Sequence, residues 1–223
     1  MKASDLFGKT VSIFYKNIFA FLGLITLPLI SSILLCSQTV INEWVCYLLL
    51  ISLGFFGILV EGAFTFVTSD TYHEKTVSWK DAFFRSFKRC HRLIGASILY
   101  PLAIFLGLQF FVLPALIVYI NLYCFLPIML LEDKPVIKSW MLSNELMASS
   151  ASNVLGPLKL WVVYMIISGL SLATTFTLMK LDISSIPVAI TLIIFSFIVD
   201  VSGKIFGIIA PTVYYEHVKA NSQ

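Results

Sequence analysis

Charge is what this chain has least of. Asp, Glu, Lys and Arg together make up 12% of its 223 residues, against roughly 25% in a typical soluble domain. A soluble fold of this length must still cover its surface, and too few polar side chains are present to do it. Catalytic signatures are also missing. There is no GxSxG, HExxH, GxGxxG or phosphate-loop pattern, and no nucleophile stands beside a base. The four cysteines form no CxxC and no Cys/His pairing at metal spacing. These absences point away from an enzyme, a cofactor-dependent protein and a metal protein. The one enzymatic alternative left open would act within a membrane through Asp200 and Glu61. No basic stretch stands clear of apolar sequence, which makes nucleic acid a poor partner. Met1 to Phe14 does not read as a signal peptide. Lys2, Asp5 and Lys9 follow a helical pattern there, and no short apolar core with a cleavage-like end follows.

What is present is apolar: 59% of the residues are hydrophobic. They gather in six runs, about Ile18–Cys36, Trp44–Thr68, Leu93–Val112, Pro114–Leu131, Leu158–Met179 and Ile186–Ala210. Each is near the roughly 20 residues that a helix needs to cross a bilayer. The connections between them alternate. Those after the first, third and fifth runs carry only Lys180, whereas the N-terminus, the other two connections and the C-terminus carry nearly all the remaining Lys and Arg. That is the positive-inside pattern. It predicts an all-α integral membrane fold, one polytopic domain over 1–223 with six transmembrane helices and both termini in the cytoplasm. The net charge of +3 is small but concentrates where anionic headgroups would lie. Cys36 and Cys46 flank the first outer loop; they read either as a disulfide in an oxidising compartment or as small helix-end residues.

The basic segments have helical periodicity of their own. Ala3, Leu6, Phe7, Val11, Phe14 and Ile18 recur on one face, with Lys2, Asp5, Lys9, Ser12 and Lys16 opposite. Trp79, Phe83 and Phe87 form a second stripe against Asp81, Arg85, Lys88 and Arg92. A third segment, Pro135 to Met147, places Ile137, Trp140 and Met141 on one side. These predict three amphipathic helices lying in the membrane surface. A unit of surface helix, span and returning span therefore recurs three times. Pro28 lies beyond Lys16 as Pro101 lies beyond Arg89. Pro127-Ile-Met-Leu-Leu-Glu132 and Pro211-Thr-Val-Tyr-Tyr-Glu216 share the form Pro-x4-Glu at the inner boundary. Together these support an internal repeat, a device common in transporters and in passive bundles alike.

Leu113-Pro-Ala-Leu-Ile-Val-Tyr, Leu126-Pro-Ile-Met-Leu-Leu-Glu132, and then Val136-Ile-Lys-Ser-Trp140 with Leu142 resemble a motif of bacterial six-span membrane proteins. That group includes the YciC-like proteins and the membrane domain joined to some glycerophosphodiester phosphodiesterases. Thr212-Val-Tyr-Tyr-Glu216 is similar to the way such chains leave their last span. The chain departs from the pattern at Asn121, where members often carry Arg nearby, and at Val136, where they have Ala. The resemblance implies a multi-pass protein of the bacterial cytoplasmic (inner) membrane. It supplies no catalytic residues, because the phosphodiesterase activity of fused relatives belongs to a soluble domain that this sequence does not contain.

Charged groups within a span are costly and so informative. Asp200 and Lys204 are one turn apart on the sixth run, with Gly203, Gly207 and Pro211 on or near the same face. They read either as a polar stripe lining a pathway or as an intrahelical ion pair at a close helix contact. Glu61, beside Gly62, pairs with Lys204 or a basic surface helix, or else touches interfacial water. Asn121 and Gln109 read as interhelical hydrogen-bonding groups, and Pro127 and Pro211 as packing positions. Asp70, His73 and Glu74 form a small cluster whose spacing matches no closed metal site. Lys16, Arg85, Lys88, Arg89, Arg92 and Lys138, with His91 among them, are the expected headgroup contacts. Two functions follow. One is a non-catalytic membrane protein that organises anionic lipids or partner proteins, with a membrane partner or a second copy as possible associates. The alternative is a transporter or transporter subunit using the Asp200/Lys204 stripe.

Overall fold

The computed structural model describes residues 3–24, 43–109, 112–149 and 205–221, together with 158–159, 162 and 166. Within them the chain is all-α, with eight helices and no strand. The helices are α1 (Ala3–Lys16), α2 (Glu43–Tyr72), α3 (Trp79–Lys88), α4 (Cys90–Gln109), α5 (Val112–Asn121), α6 (Phe125–Leu131), α7 (Val136–Ala148) and α8 (Ala210–Asn221). Residues 18–24 are also helical, and a π-helical turn, Ile205–Ile209, leads into α8. Pro211 follows that turn. Its missing N–H removes one rung of the helical ladder, and a widened turn absorbs the mismatch. Most of the first, fifth and sixth apolar runs, including Cys36, Asp200, Gly203 and Lys204, lies outside the described residues.

Among the described residues two stretches, not the expected six, are long and apolar enough to cross a membrane, Cys90–Gly107 and Pro114–Leu131. The first is only 22% buried, whereas the core helix of a soluble domain is mostly buried. Ile98, Leu102, Phe105 and Leu106 stand exposed along it. The expected fourth span is not one helix. α5 and α6 are separated at 122–124, and the hydroxyl of Tyr123, on a buried residue within that break, has no hydrogen-bond partner among the described residues.

α2 is the central post. Its 30 residues give a length of about 45 Å. Leu59, Val60, Ala63, Phe64, Phe66 and Val67 are buried, with α1, α3, α4, α6, α8 and the π turn packed around them. Thr65, Thr68 and Thr71 are buried too. Their hydroxyls donate to the carbonyls of Glu61, Phe64 and Val67, each four residues back, so none needs water. A run of rings joins α1 to α2: Phe14 stacks on Phe21 at 5.5 Å and Phe21 on Phe64 at 4.7 Å.

Helices stand over all three segments expected at the surface, as α1, α3 and α7; α1 turns most of its apolar stripe to the protein, whereas α3 and α7 turn much of theirs outward. On α3 the buried residues are Ala82 and Ser86, while Trp79, Phe84 and Phe87 are exposed. On α7 the buried positions are Ser139, Ser143 and Met147, and Ile137 and Met141 face outward. On α1, Leu6, Thr10, Ile13 and Phe14 are buried and Phe7 is not. The reason is closeness of approach. At Gly62 an added Cβ would lie 2.4 Å from Ser86 Oγ and 2.9 Å from Leu93 Cδ1. Only small groups fit there, and Ser86 uses the proximity to donate to the Leu59 carbonyl at 2.6 Å.

Gly62→Ala is therefore expected to force α3 from α2 and lower stability by about 1–3 kcal/mol. Gly54→Ala, where a Cβ meets nothing within 4 Å, is expected to be neutral or stabilising by up to about 1 kcal/mol. Unfolding of the purified variants in graded denaturing detergent checks the contrast.

Candidate functional site

The polar side chains of the described residues concentrate where α2, α6 and α8 end and α3, α4 and α7 begin. Three carboxylates organise that end. Asp70, near the end of α2, pairs with Arg85 of α3. Glu132, the C-cap of α6, accepts the Tyr215 hydroxyl of α8 at 2.5 Å and lies 3.3 Å from Lys219 Nζ. Glu216 of α8 accepts the Ser69 hydroxyl of α2 at 2.5 Å, with His73 Nε2 at 3.1 Å. Only 7% of the Glu216 side chain is exposed, so these two partners replace its hydration.

Burial alone would raise the pKa of Glu132. The hydrogen bonds from Tyr215 and Lys219 and the charges of Lys219 and Lys134 outweigh it and hold the carboxyl below its ordinary value. Burial, then the bond to Glu132 and its charge, push the Tyr215 phenol far up. Tyr215 thus stays protonated and donates.

The arginines are less free than their sequence suggests. The guanidinia of Arg85 and Arg89 both lie over the Phe66 ring, at 4.7 and 5.2 Å. Arg89 also donates to the Leu130 carbonyl, one of the orphan acceptors at the end of α6. Arg89 Nε and Arg92 Nη1 reach Asp133 Oδ1 at 3.0 and 2.7 Å. Of the six residues expected to meet headgroups, Lys16, Lys88 and Lys138 are exposed, whereas Arg85, Arg89 and Arg92 hold elements together.

The Asp70/His73/Glu74 cluster is parted. Asp70 turns to Arg85, His73 to Glu216, and Glu74 is exposed at positive φ. Glu61 is half-buried on α2, and Asn121 ends α5, its carbonyl accepting the Ser143 hydroxyl at 2.7 Å. Pro127 and Pro211 are buried; Gly207 is exposed, and a Cβ there would meet nothing within 4 Å. Asp200, Gly203 and Lys204 are outside the described residues. Ser69, His73 and Tyr215 as partners of the two motif glutamates were not foreseen. The Pro-x4-Glu pattern marked the glutamates but not what would reach them.

Because the folded pKa of Glu132 is depressed, its contribution to stability is present above the ordinary value of 4.5 and is lost as pH falls through the lowered one. Wild type is expected to exceed Glu132→Gln in stability at neutral pH, with the gap closing below about pH 4. Melting curves across pH 3–7 measure it, and a gap that persists in acid rules the linkage out.

No family model, no curated protein and no solved structure matches this chain, so what its site does is argued from its own geometry.

Proposed function

We propose that this chain is a non-catalytic integral membrane protein. In this reading six spans and three surface helices, built as a threefold repeat, organise anionic lipid or a partner protein in the bacterial inner membrane, with basic residues on the cytoplasmic side. One observation carries it: α3 and α7 bury Ala82, Ser86, Ser139 and Ser143 while exposing Trp79, Phe84, Phe87, Ile137 and Met141. In water that arrangement is unfavourable. Where acyl chains surround the protein, exposed aromatics cost little, and small residues win the helix contacts because they allow close packing. Lys16, Lys88 and Lys138 are then the cations turned toward headgroups. The likeness to bacterial six-span proteins belongs to the same proposal.

The test is purification from native membranes in mild detergent, with identification of bound lipids and proteins. Joint replacement Lys16→Glu and Lys88→Glu is expected to reduce co-purifying anionic lipid or partner several-fold and leave the melting curve in place. Arg85→Glu should instead lower the melting temperature, because it breaks the Asp70 pair and sets a second carboxylate beside it. Equal co-purification from wild type and the lysine variant counts against the reading.

A second reading, a transporter or transporter subunit, is favoured by the break at 122–124, where the buried Tyr123 hydroxyl meets no partner among the described residues. Irregular backbone at membrane depth occurs where it is packed in protein or lines a cavity. On this reading Asp200→Asn abolishes flux of a substrate in proteoliposomes without unfolding the protein. Unchanged flux discards it.

A further inference from the structure

Asp133 is the most exposed of the ion-paired acids at the charged end. Its side chain is 57% exposed, it sits in the link between α6 and α7 at φ 58, and a single oxygen, Oδ1, receives both Arg89 and Arg92. Around it the charge is lopsided. Arg92 Nη1 also lies 3.5 Å from the Lys134 carbonyl, Lys88 and Lys138 are exposed on the adjoining helix ends, and Glu132 is turned away to Tyr215 and Lys219. Both membrane-length stretches have an end here, Cys90–Gly107 its first residue and Pro114–Leu131 its last. A phosphate in the headgroup layer would meet the patch at that level.

We propose that Arg92, with Arg89, Lys134 and Lys138, forms a binding site for the phosphate of an anionic phospholipid, and that the Asp133 carboxylate occupies it in competition. This rests on the membrane reading above. A guanidinium fork takes carboxylate and phosphate with the same geometry, so one can replace the other. A tethered carboxylate holds the two arginines in position while the site is empty, and it lowers the affinity for an incoming anion by occupying the same donors. The headgroup, rather than a soluble anion, is the occupant because the patch adjoins exposed apolar helix surface that acyl chains would cover.

The experiment uses the purified full chain in mild detergent, titrated with phosphatidylglycerol or phosphatidylcholine, with bound lipid counted by native mass spectrometry. Asp133→Asn keeps the shape and tolerates positive φ. It is expected to raise phosphatidylglycerol binding about fivefold, the effect of one charge at a membrane surface, and to leave phosphatidylcholine unchanged. Arg92→Gln should lower phosphatidylglycerol binding to a similar extent; if that variant does not fold, Asp133→Asn decides alone. Phosphatidylglycerol binding that stays level or falls in Asp133→Asn overturns the site. So does displacement of the lipid by inorganic phosphate at equal concentration. A preference for phosphatidylglycerol that Asp133→Asn does not alter defeats this site only. Absence of any preference, in wild type and variants alike, defeats the lipid-organising reading too.

Discussion

At their closest approaches the helices of this protein meet through small residues, and the outward facing of large side chains on α3 and α7 follows from that constraint. Gly62 receives Ser86 and Leu93, and at Gly107 a Cβ would stand 2.8 Å from the Ala115 Cα. Contacts so close exclude large side chains, which are then left to face outward. In water the exposure of Phe84, Phe105 and Ile137 would work against folding at about 25 cal/mol for each Å² left wet. Against hydrocarbon the same exposure is nearly neutral, and selection between contacts passes to packing and hydrogen bonding. The hydroxyls follow the same logic. Thr10 and Thr212 donate to their own helix at 2.7 and 2.8 Å, and Ser143 crosses from α7 to the end of α5 at 2.7 Å. Such a polar group costs several kcal/mol if stranded in lipid.

Close contacts between small residues do not fix how far each helix slides along its neighbour. The charged end supplies that information. Arg89 touches three things that belong to different parts of the fold: the Phe66 ring on α2, the Leu130 carbonyl near the end of α6, and Asp133 ahead of α7. A lysine could provide the charge but not the planar fork that meets all three. Exposed ion pairs are individually worth about 0–1 kcal/mol, so the value of this end lies in register more than in stability. Glu216 differs, because it is buried and its two partners, Ser69 on α2 and His73 just beyond it, are far away in sequence. Losing either would leave part of a carboxylate unsolvated.

The periodicity and charge distribution made the helices legible. α1, α3 and α7 stand where spacing put them, and α2 and α4 match the second and third apolar runs. The facing of α3 and α7 was not legible. A stripe such as Trp79, Phe83 and Phe87 says that a helix has two unlike sides; it does not say which side meets protein when the solvent is itself apolar. The information was in Gly62, Ala82 and Ser86, residues too small to stand out in a hydrophobic pattern. The break at 122–124 was hidden for a related reason: its residues, Leu122, Tyr123 and Cys124, are as apolar as the helices on either side. Basic residues near apolar ends suggested headgroup contacts, but Asp70 and Asp133 lie equally near, and sequence does not rank an internal carboxylate against a lipid phosphate.

The three carboxylates also bear on how the fold is built. If the chain is divided into its three expected units, Asp70 ends the first, Glu132 the second and Glu216 the third. Arg85, which holds Asp70, belongs to the second unit. Tyr215 and Lys219, which hold Glu132, belong to the third, and Ser69 and His73, which hold Glu216, belong to the first. Each unit's terminal acid is thus held by the unit after it, and the last is held by the first. An open row of units would leave one acid at its end without a successor. Among the described residues the series closes on itself, and the holders differ in chemistry: a guanidinium, a phenol with an ammonium, and a hydroxyl with an imidazole. Under the proposed threefold repeat, a shared direction with unshared residues is what would be retained if geometry rather than a particular side chain were under constraint.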